Sequence, residues 1–433
     1  MKRKTLSKKP YKGTKDWYPE EMFARNYLFN IWSKVAKEFG YEEYDTPIIE
    51  AAELYRVKSG KELANNQLYS FLDKGKREIA LRPEMTPSLA RIIAAKKYEL
   101  RFPLRWFNIG RYYRYEKPQK GRRREFFQLN IDILGIDSAL AEVEIVEYVM
   151  NIMEELNAPK DTYELRVNNR YLLEYLFDTI LKIDEDTKAA LGRALDNYLK
   201  MDKKDFEEYL SEIGLNESQV SSTFDFLSWD IQKLNEISSE SKGARQLIEL
   251  FNILEDLSIT NVVFSPSIVR GLQYYTGTVI EMYDIGKKQT PRALFGGGRY
   301  DNLLEIFGEK KIPAFGLGWG DITMLDYLNS YELIPEYKKD TDVFISMMDI
   351  KYFPQLYKLA STLRENGIRV LQQLEPTKLS KQLKYASQEE IPWSIIVGED
   401  EINKGVIQLK DMRNRKSFLI KKENIIEKIL QSL

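Results

Sequence analysis

Two residue types are missing outright: the 433-residue chain contains neither cysteine nor histidine. Without cysteine there are no disulfides, no thiolate metal ligands and no cysteine nucleophile. Without histidine there is no imidazole base and no imidazole ligand, so zinc is not expected. Carboxylates, guanidinium groups and backbone amides must carry any chemistry. Long apolar runs are also absent: nothing approaches the roughly 18 residues of a membrane span. The basic start (Lys2, Arg3, Lys4, Lys8, Lys9) has no apolar segment like that of a signal peptide. A cytoplasmic protein with no membrane partner is the expectation. Nor does one sign of charge dominate, with 65 Lys+Arg against 66 Asp+Glu, so a site for a polyanion must be a local patch.

What is present is apolar bulk: 43% hydrophobic and 12% aromatic residues, enough for several cores. From Pro19 to Phe39, Met22, Phe23, Tyr27, Leu28, Trp32, Val35 and Ala36 recur at helical spacing, and Gly40 stops the helix. Residues 77–82 read as a strand. Thr86 and Pro87 then read as the N-cap and first position of a helix to about Lys97, placing Glu84 in a tight strand-to-helix corner. Leu104 to Glu116 and Phe126 to Leu134 read as an antiparallel hairpin, and 139–156 as a helix. Charged, Leu-rich helices with few strand signals fill about 160–255, and strands return at 261–283. After Asn329 the segment SYELIPEYKKD reads as a linker to alternating strands and helices, a separate α/β domain.

The hairpin is the most telling piece. Alternate side chains of a strand share a face, so Arg114 and Glu116 belong with Phe126, Gln128, Asn130 and Asp132, while Tyr113, Tyr115, Phe127, Leu129, Ile131 and Ile133 form the core side. The connecting loop holds Lys117, Lys120, Arg122, Arg123 and Arg124, positive charge that can reach phosphates beside a ring able to stack on a base.

At this point the sequence resembles a known family. YRYEKPQKGRRREFFQLNIDILG is similar to motif 2 of class II aminoacyl-tRNA synthetases in its histidyl form, and RGLQYYTGT (Arg270 to Thr278) resembles the histidine-binding signature of the histidyl enzymes. LRPEMT, FGGGRYD and GTKDWYPEE fit the same pattern. The resemblance implies an α+β fold: a class II synthetase antiparallel sheet with flanking helices, a helical insertion and a C-terminal α/β anticodon-binding domain. The corresponding division is a catalytic domain over 1–159 and 256–330, an insertion at 160–255 and an anticodon-binding domain at 338–433. It also implies ATP with Mg²⁺ as cofactors, histidine and tRNA(His) as partners, and a homodimer built on the motif 1 helix and strand, the helix from Pro19 and the YEEYDTPIIE that follows it. Glu116 and Asp132 are the carboxylates considered for Mg²⁺.

By the same carry-over, Arg114 and Arg270 contact the α-phosphate as catalytic groups. Glu116, Phe126, Arg122, Gly296 and Gly298 belong to the ATP side. Glu84, Gln128, Asp132, Tyr274 and Tyr275 belong to the histidine side, a carboxylate answering the ammonium, and hydroxyl and amide groups answering the ring nitrogens. Related chains also serve as regulatory subunits of ATP phosphoribosyltransferase or as sensors of uncharged tRNA. Arg114, Glu116, Arg270, Glu84 and the C-terminal domain favour the enzyme.

One departure stands out. In PAFGLGWGDITMLDYL, Asp321, Ile322 and Thr323 stand where the motif 3 pattern has Leu-Glu-Arg, so the arginine position holds Thr323. Losing a charged phosphate contact costs on the order of 1.5–3 kcal/mol. Arg122 or Arg123 of the loop is the replacement the sequence suggests. Gln273, where an acidic residue is common, is a milder departure.

Overall fold

The computed structural model describes residues 6–56, 66–198, 201–269, 274–286 and 292–431. Arg270 and Gln273 lie outside the described residues. The chain forms two compact units, Met1–Pro335 and Glu336–Leu433, dividing inside the expected linker.

In the first unit the strands are β1 (Glu42–Glu43), β2 (Ile49–Ala51), β3 (Tyr69–Leu72), β4 (Glu78–Leu81), β5 (Leu104–Tyr113), β6 (Glu125–Leu134), β7 (Tyr163–Asn169), β8 (Val262–Phe264), β9 (Thr278–Asp284), β10 (Phe295–Arg299) and β11 (Ala314–Gly320). Eight of them form one sheet in the order β1-β5-β6-β11-β10-β9-β7-β8, and β2-β4-β3 form a small one. The large sheet is antiparallel except at its edges, where β1 runs parallel to β5 and β8 to β7.

The two faces of that sheet differ by the parity of the residue number. Odd residues Leu129, Ile131 and Ile133 of β6, and Phe315, Leu317 and Trp319 of β11, are buried in one core with Leu28, Trp32 and Val35 of the Pro19–Glu38 helix and Ile145, Val149 and Ile152 of the Leu140–Glu155 helix. Each such side chain contributes roughly 1.5–3 kcal/mol of transfer free energy. Even residues of the same strands are Gln128, Asn130, Asp132, Gly316, Gly318 and Gly320, and they face the other way. The first of these helices starts as its sequence dictates, with Pro19 in its first turn and Glu21 accepting a hydrogen bond from the Tyr18 amide at 3.0 Å.

Three expectations need correction. β5 stops at Tyr113, three residues short of Glu116, so the alternation does not carry Tyr115 into the core. Tyr113 is half-buried and Tyr115 is 49% exposed, its ring covered by the Arg124 guanidinium at 4.0 Å. The 160–255 stretch opens on a single 3-10 turn, Lys160–Thr162, and then on a strand of the main sheet, Tyr163–Asn169, buried through Tyr163, Leu165 and Val167. Its charged residues misled the reading, for Glu164 and Arg166 pair with each other on one face at 2.8 Å. Helices then run from Arg170 to Asp256. Lastly, Thr86 is the first helical residue rather than the cap, and no side chain caps that end.

The second unit holds β12 (Val343–Ile345), β13 (Val370–Gln372), β14 (Trp393–Ile396), β15 (Val406–Asp411) and β16 (Ser417–Lys421) in the order β13-β12-β14-β15-β16. Val343, Ile345, Ile395 and Leu409 pack against Leu356, Leu359 and Leu363 of the Phe353–Glu365 helix and Ile425 and Ile429 of the last helix. Among the described residues no helix is long and apolar enough to cross a membrane.

Candidate active site

The even face of the sheet floors a cavity of about 1160 Å³ in the first unit. Its lining includes Glu84, Arg114, Glu116, Phe126, Gln128 and Asp132, residues that are far apart in sequence. Tyr274, Tyr275, Arg122 and Gly296 line it as well.

One end is a closed set of hydrogen bonds between buried groups. Glu84, in the corner between β4 and the Thr86–Lys96 helix, accepts from the Tyr274 hydroxyl at 3.0 Å. Tyr274 stacks at a tilt on Tyr275, with ring centroids 4.9 Å apart, and meets the edge of Tyr300. Tyr300 in turn donates its hydroxyl to Asp132. Burial pushes the Asp132 carboxyl up to about 7, against the lowering effect of that hydrogen bond, and raises both the Tyr274 and Tyr300 phenols. Beside them, Gln128 Nε2 donates to Asn130 Oδ1 at 2.6 Å, Asn130 to the Tyr112 hydroxyl at 2.8 Å, and Tyr112 to Asn108 at 2.8 Å. Asn108 donates to Asp45, which also accepts from the buried Arg82 at 2.6 Å.

Glycine lets these side chains lie flat on the sheet. A Cβ on Gly316 would sit 2.2 Å from Asp132 Oδ1, and one on Gly318 2.3 Å from Gln128 Nε2. Gly298, expected on the ATP side, instead lies beneath Tyr275, whose ring atom Cδ1 would be 2.7 Å from an added Cβ. It seats the tyrosine.

The other end is built of charges. Arg114 extends past the end of β5 with its guanidinium 5.3 Å from the centre of the Phe126 ring, and its Nε donates to the Pro83 carbonyl at 2.9 Å. Glu116 presents its buried Oε2 to the Arg122 guanidinium at 2.8 Å in an ion pair. Arg123 lies over the Trp17 ring, and Arg124 bonds the Glu116 carbonyl and the Tyr11 hydroxyl. Thr323 donates to the Leu294 carbonyl at 3.0 Å. Asp321 starts the helix Asp321–Ser330. Its Oδ1 accepts from the Phe127 amide at 3.0 Å, and burial pushes the carboxyl up to about 7.

A family model described as Histidyl-tRNA synthetase matches residues 13–320, and one described as Anticodon binding domain matches residues 342–432. The chain belongs to the histidyl-tRNA synthetase family. Among its relatives, proteins named histidine–tRNA ligase from Leptospira biflexa and Thermoplasma volcanium are 38% and 36% identical to it. The first alignment covers 100% of both chains and the second 93% of both. The crystal structure of histidyl-tRNA synthetase from a Nostoc species is similar with a TM-score of 0.83 at 25% identity, covering 99% of this chain and 100% of that one. These matches establish the class II synthetase fold with a C-terminal anticodon-binding domain.

Within that family frame the cavity brings together every described residue assigned to the ATP or histidine side from the sequence except Gly298. Of the five loop cations it takes Lys120, Arg122 and Arg123 but not Lys117 or Arg124. Sequence reasoning passed over Tyr300, although FGGGRYD contains it, because its partner Asp132 is 168 residues away. It passed over Arg292 altogether, a cavity-lining residue in no recognised motif.

Proposed function

We propose that this chain is a histidine–tRNA ligase. The histidine carboxylate attacks the α-phosphorus of ATP, releasing pyrophosphate and forming histidyl-adenylate, and a hydroxyl of the terminal ribose of tRNA(His) then takes the acyl group, releasing AMP. A carboxylate needs no base to act as nucleophile, so a chain without histidine can carry out the first step by positioning and charge stabilisation alone.

The observation that carries this reading is a single backbone link. Arg114, the candidate α-phosphate ligand, donates to the carbonyl of Pro83, the residue preceding Glu84, the candidate ammonium ligand. Phosphate and ammonium recognition are thereby held in fixed relation, as in-line attack requires. Arg270 is proposed to approach the same phosphate, its planar fork suited to phosphate and carboxylate together. Phe126 and Glu116 take the adenine ring and its amino group, Gln128, Tyr275 and Asp132 surround the imidazole, and Gly296 gives the ATP side of the wall close backbone approach. Mg²⁺ accompanies ATP. Glu116, whose buried Oε2 meets Arg122, and Asp132, which is bonded to Tyr300, are the carboxylates proposed to hold it.

We assign the helices from Arg170 to Asp256 to an insertion in the catalytic domain and residues 338–433 to the anticodon. A homodimer is proposed as well. Ile48 and Ile49 at the start of β2, with Phe71 and Leu72 of β3, are large apolar side chains at 40–66% exposure that suit such an interface, and sedimentation as a monomer would remove that part. The ligase reading is tested by ATP–pyrophosphate exchange with each amino acid in turn, followed by tRNA charging. Exchange driven by histidine alone is expected, and its absence sinks the reading in favour of a regulatory subunit.

A further inference from the structure

The position of Thr323 leaves the nucleotide end without the cation its family pattern calls for, and the threonine is committed elsewhere, its hydroxyl to the Leu294 carbonyl. The loop arginines are committed as well. Arg122 faces Glu116, Arg123 lies over Trp17 in the field of Asp321 and Asp326, and Arg124 is held by Tyr11 and Tyr115. Arg292 is different in origin, coming from the segment just ahead of β10 and lining the same cavity.

Gly121, at the tip of the basic loop, fixes where Arg292 lies. A Cβ placed there would be 3.3 Å from Arg292 Cδ, 3.9 Å from Arg292 Nε and 3.6 Å from Thr323 Cγ2. The Arg292 side chain and the Thr323 methyl thus meet within one methyl group's reach of the same glycine. Leu294, two residues after Arg292, is the residue that Thr323 bonds, so the two positions are tied together. Arg122 and Glu116 are both close enough to act on the Arg292 charge, Arg122 unfavourably and Glu116 favourably, and burial disfavours that charge further. An anion lying between the two guanidinium groups turns their repulsion into attraction.

We propose that Arg292 binds the β- and γ-phosphates of ATP, doing from the segment before β10 what an arginine at position 323 would do from the helix. The proposal rests on the ligase reading. The Arg292 side chain lines the cavity beside Gly121 and Thr323, and it acts alongside Arg122 once a triphosphate draws that residue away from Glu116.

The test is Arg292→Ala and Arg292→Lys measured beside the unaltered protein in histidine-dependent pyrophosphate exchange, with AMP as a competing ligand. Arg292→Ala is expected to raise the KM for ATP tenfold or more, leave the KM for histidine within twofold and leave AMP inhibition unchanged. Arg292→Lys should recover part of the loss, and adding Thr323→Arg to Arg292→Ala should recover more. If unaltered protein shows no exchange, the ligase reading itself has failed. If it does exchange but Arg292→Ala leaves the ATP KM within twofold, the proposal is overturned. Equal weakening of ATP and AMP overturns it too, because that marks Arg292 as a support of the cavity wall. Should the alanine variant not fold, the lysine variant decides on the same criteria: an unchanged ATP KM overturns the proposal, and a selective rise upholds it.

Discussion

The two ends of the cavity solve recognition in opposite ways. At the Glu84 end the polar groups that have to read a small ligand are already bonded to a neighbour, the buried Glu84 to Tyr274, the buried Asp132 to Tyr300 and the half-buried Gln128 to Asn130. At the Arg114 end the charges are partly open to solvent, Arg122 at 45%, and several come from one basic loop. The contrast follows from what each end must do. Rejecting a near-isosteric amino acid needs desolvated, preorganised partners, whose loss leaves a buried group unpaired. Holding a triphosphate needs charge in quantity, and charge can be supplied from more than one direction.

The largest effect expected from this difference belongs to Glu84→Gln. Removing one member of a buried charge contact costs about 2–5 kcal/mol, so kcat/KM for histidine should fall roughly 30- to 5,000-fold while the KM for ATP stays within about threefold. Steady-state exchange kinetics check it, and equal damage to both substrates would erase the distinction between the ends. Next is Phe126→Ala, which removes the proposed stacking surface. A loss of about 1–3 kcal/mol predicts a roughly 5- to 150-fold higher KM for ATP with histidine unaffected. A parallel rise in the histidine KM would mean that the ring shapes the whole cavity.

The smallest effect concerns Asp321, buried behind the charged end. Its carboxyl titrates near 7 in the folded chain against an ordinary 3.8. The folded protein therefore keeps a proton that the unfolded chain releases. Stability from this group is full below about pH 4, falls as pH rises toward 7 and is flat beyond, with a slope of at most about 1.4 kcal/mol per pH unit. Asp321→Asn keeps an acceptor for the Phe127 amide and should remove that slope in urea unfolding measured between pH 5 and 8. Asp132, raised to about 7 as well, will keep its own share. An unchanged profile would place the titration elsewhere.

Much of this was legible in the sequence where a local rule operates. The 20-residue Pro19–Glu38 helix and the β5–β6 hairpin follow directly from apolar period and alternation, and the two faces of β6 follow from parity alone. The rule lapses where the ladder ends, which is why Tyr115 was misplaced. It also lapses where a charged strand such as β7 hides in a helical stretch. Site residues were legible inside motifs and illegible outside them. Tyr300 and Arg292 gain their neighbours only when β10 is laid against β11, a tertiary event with no local signature.

Three of the side chains that surround the proposed imidazole position rest on glycines in two adjacent strands: Asp132 on Gly316, Gln128 on Gly318 and Tyr275 on Gly298. Anyone reshaping this enzyme for a different amino acid is therefore barred from building upward from the sheet. Volume can be redistributed only by shortening or exchanging the residues that lie across it. Reprogramming of specificity must begin with those three, taken together with the glycines that seat them.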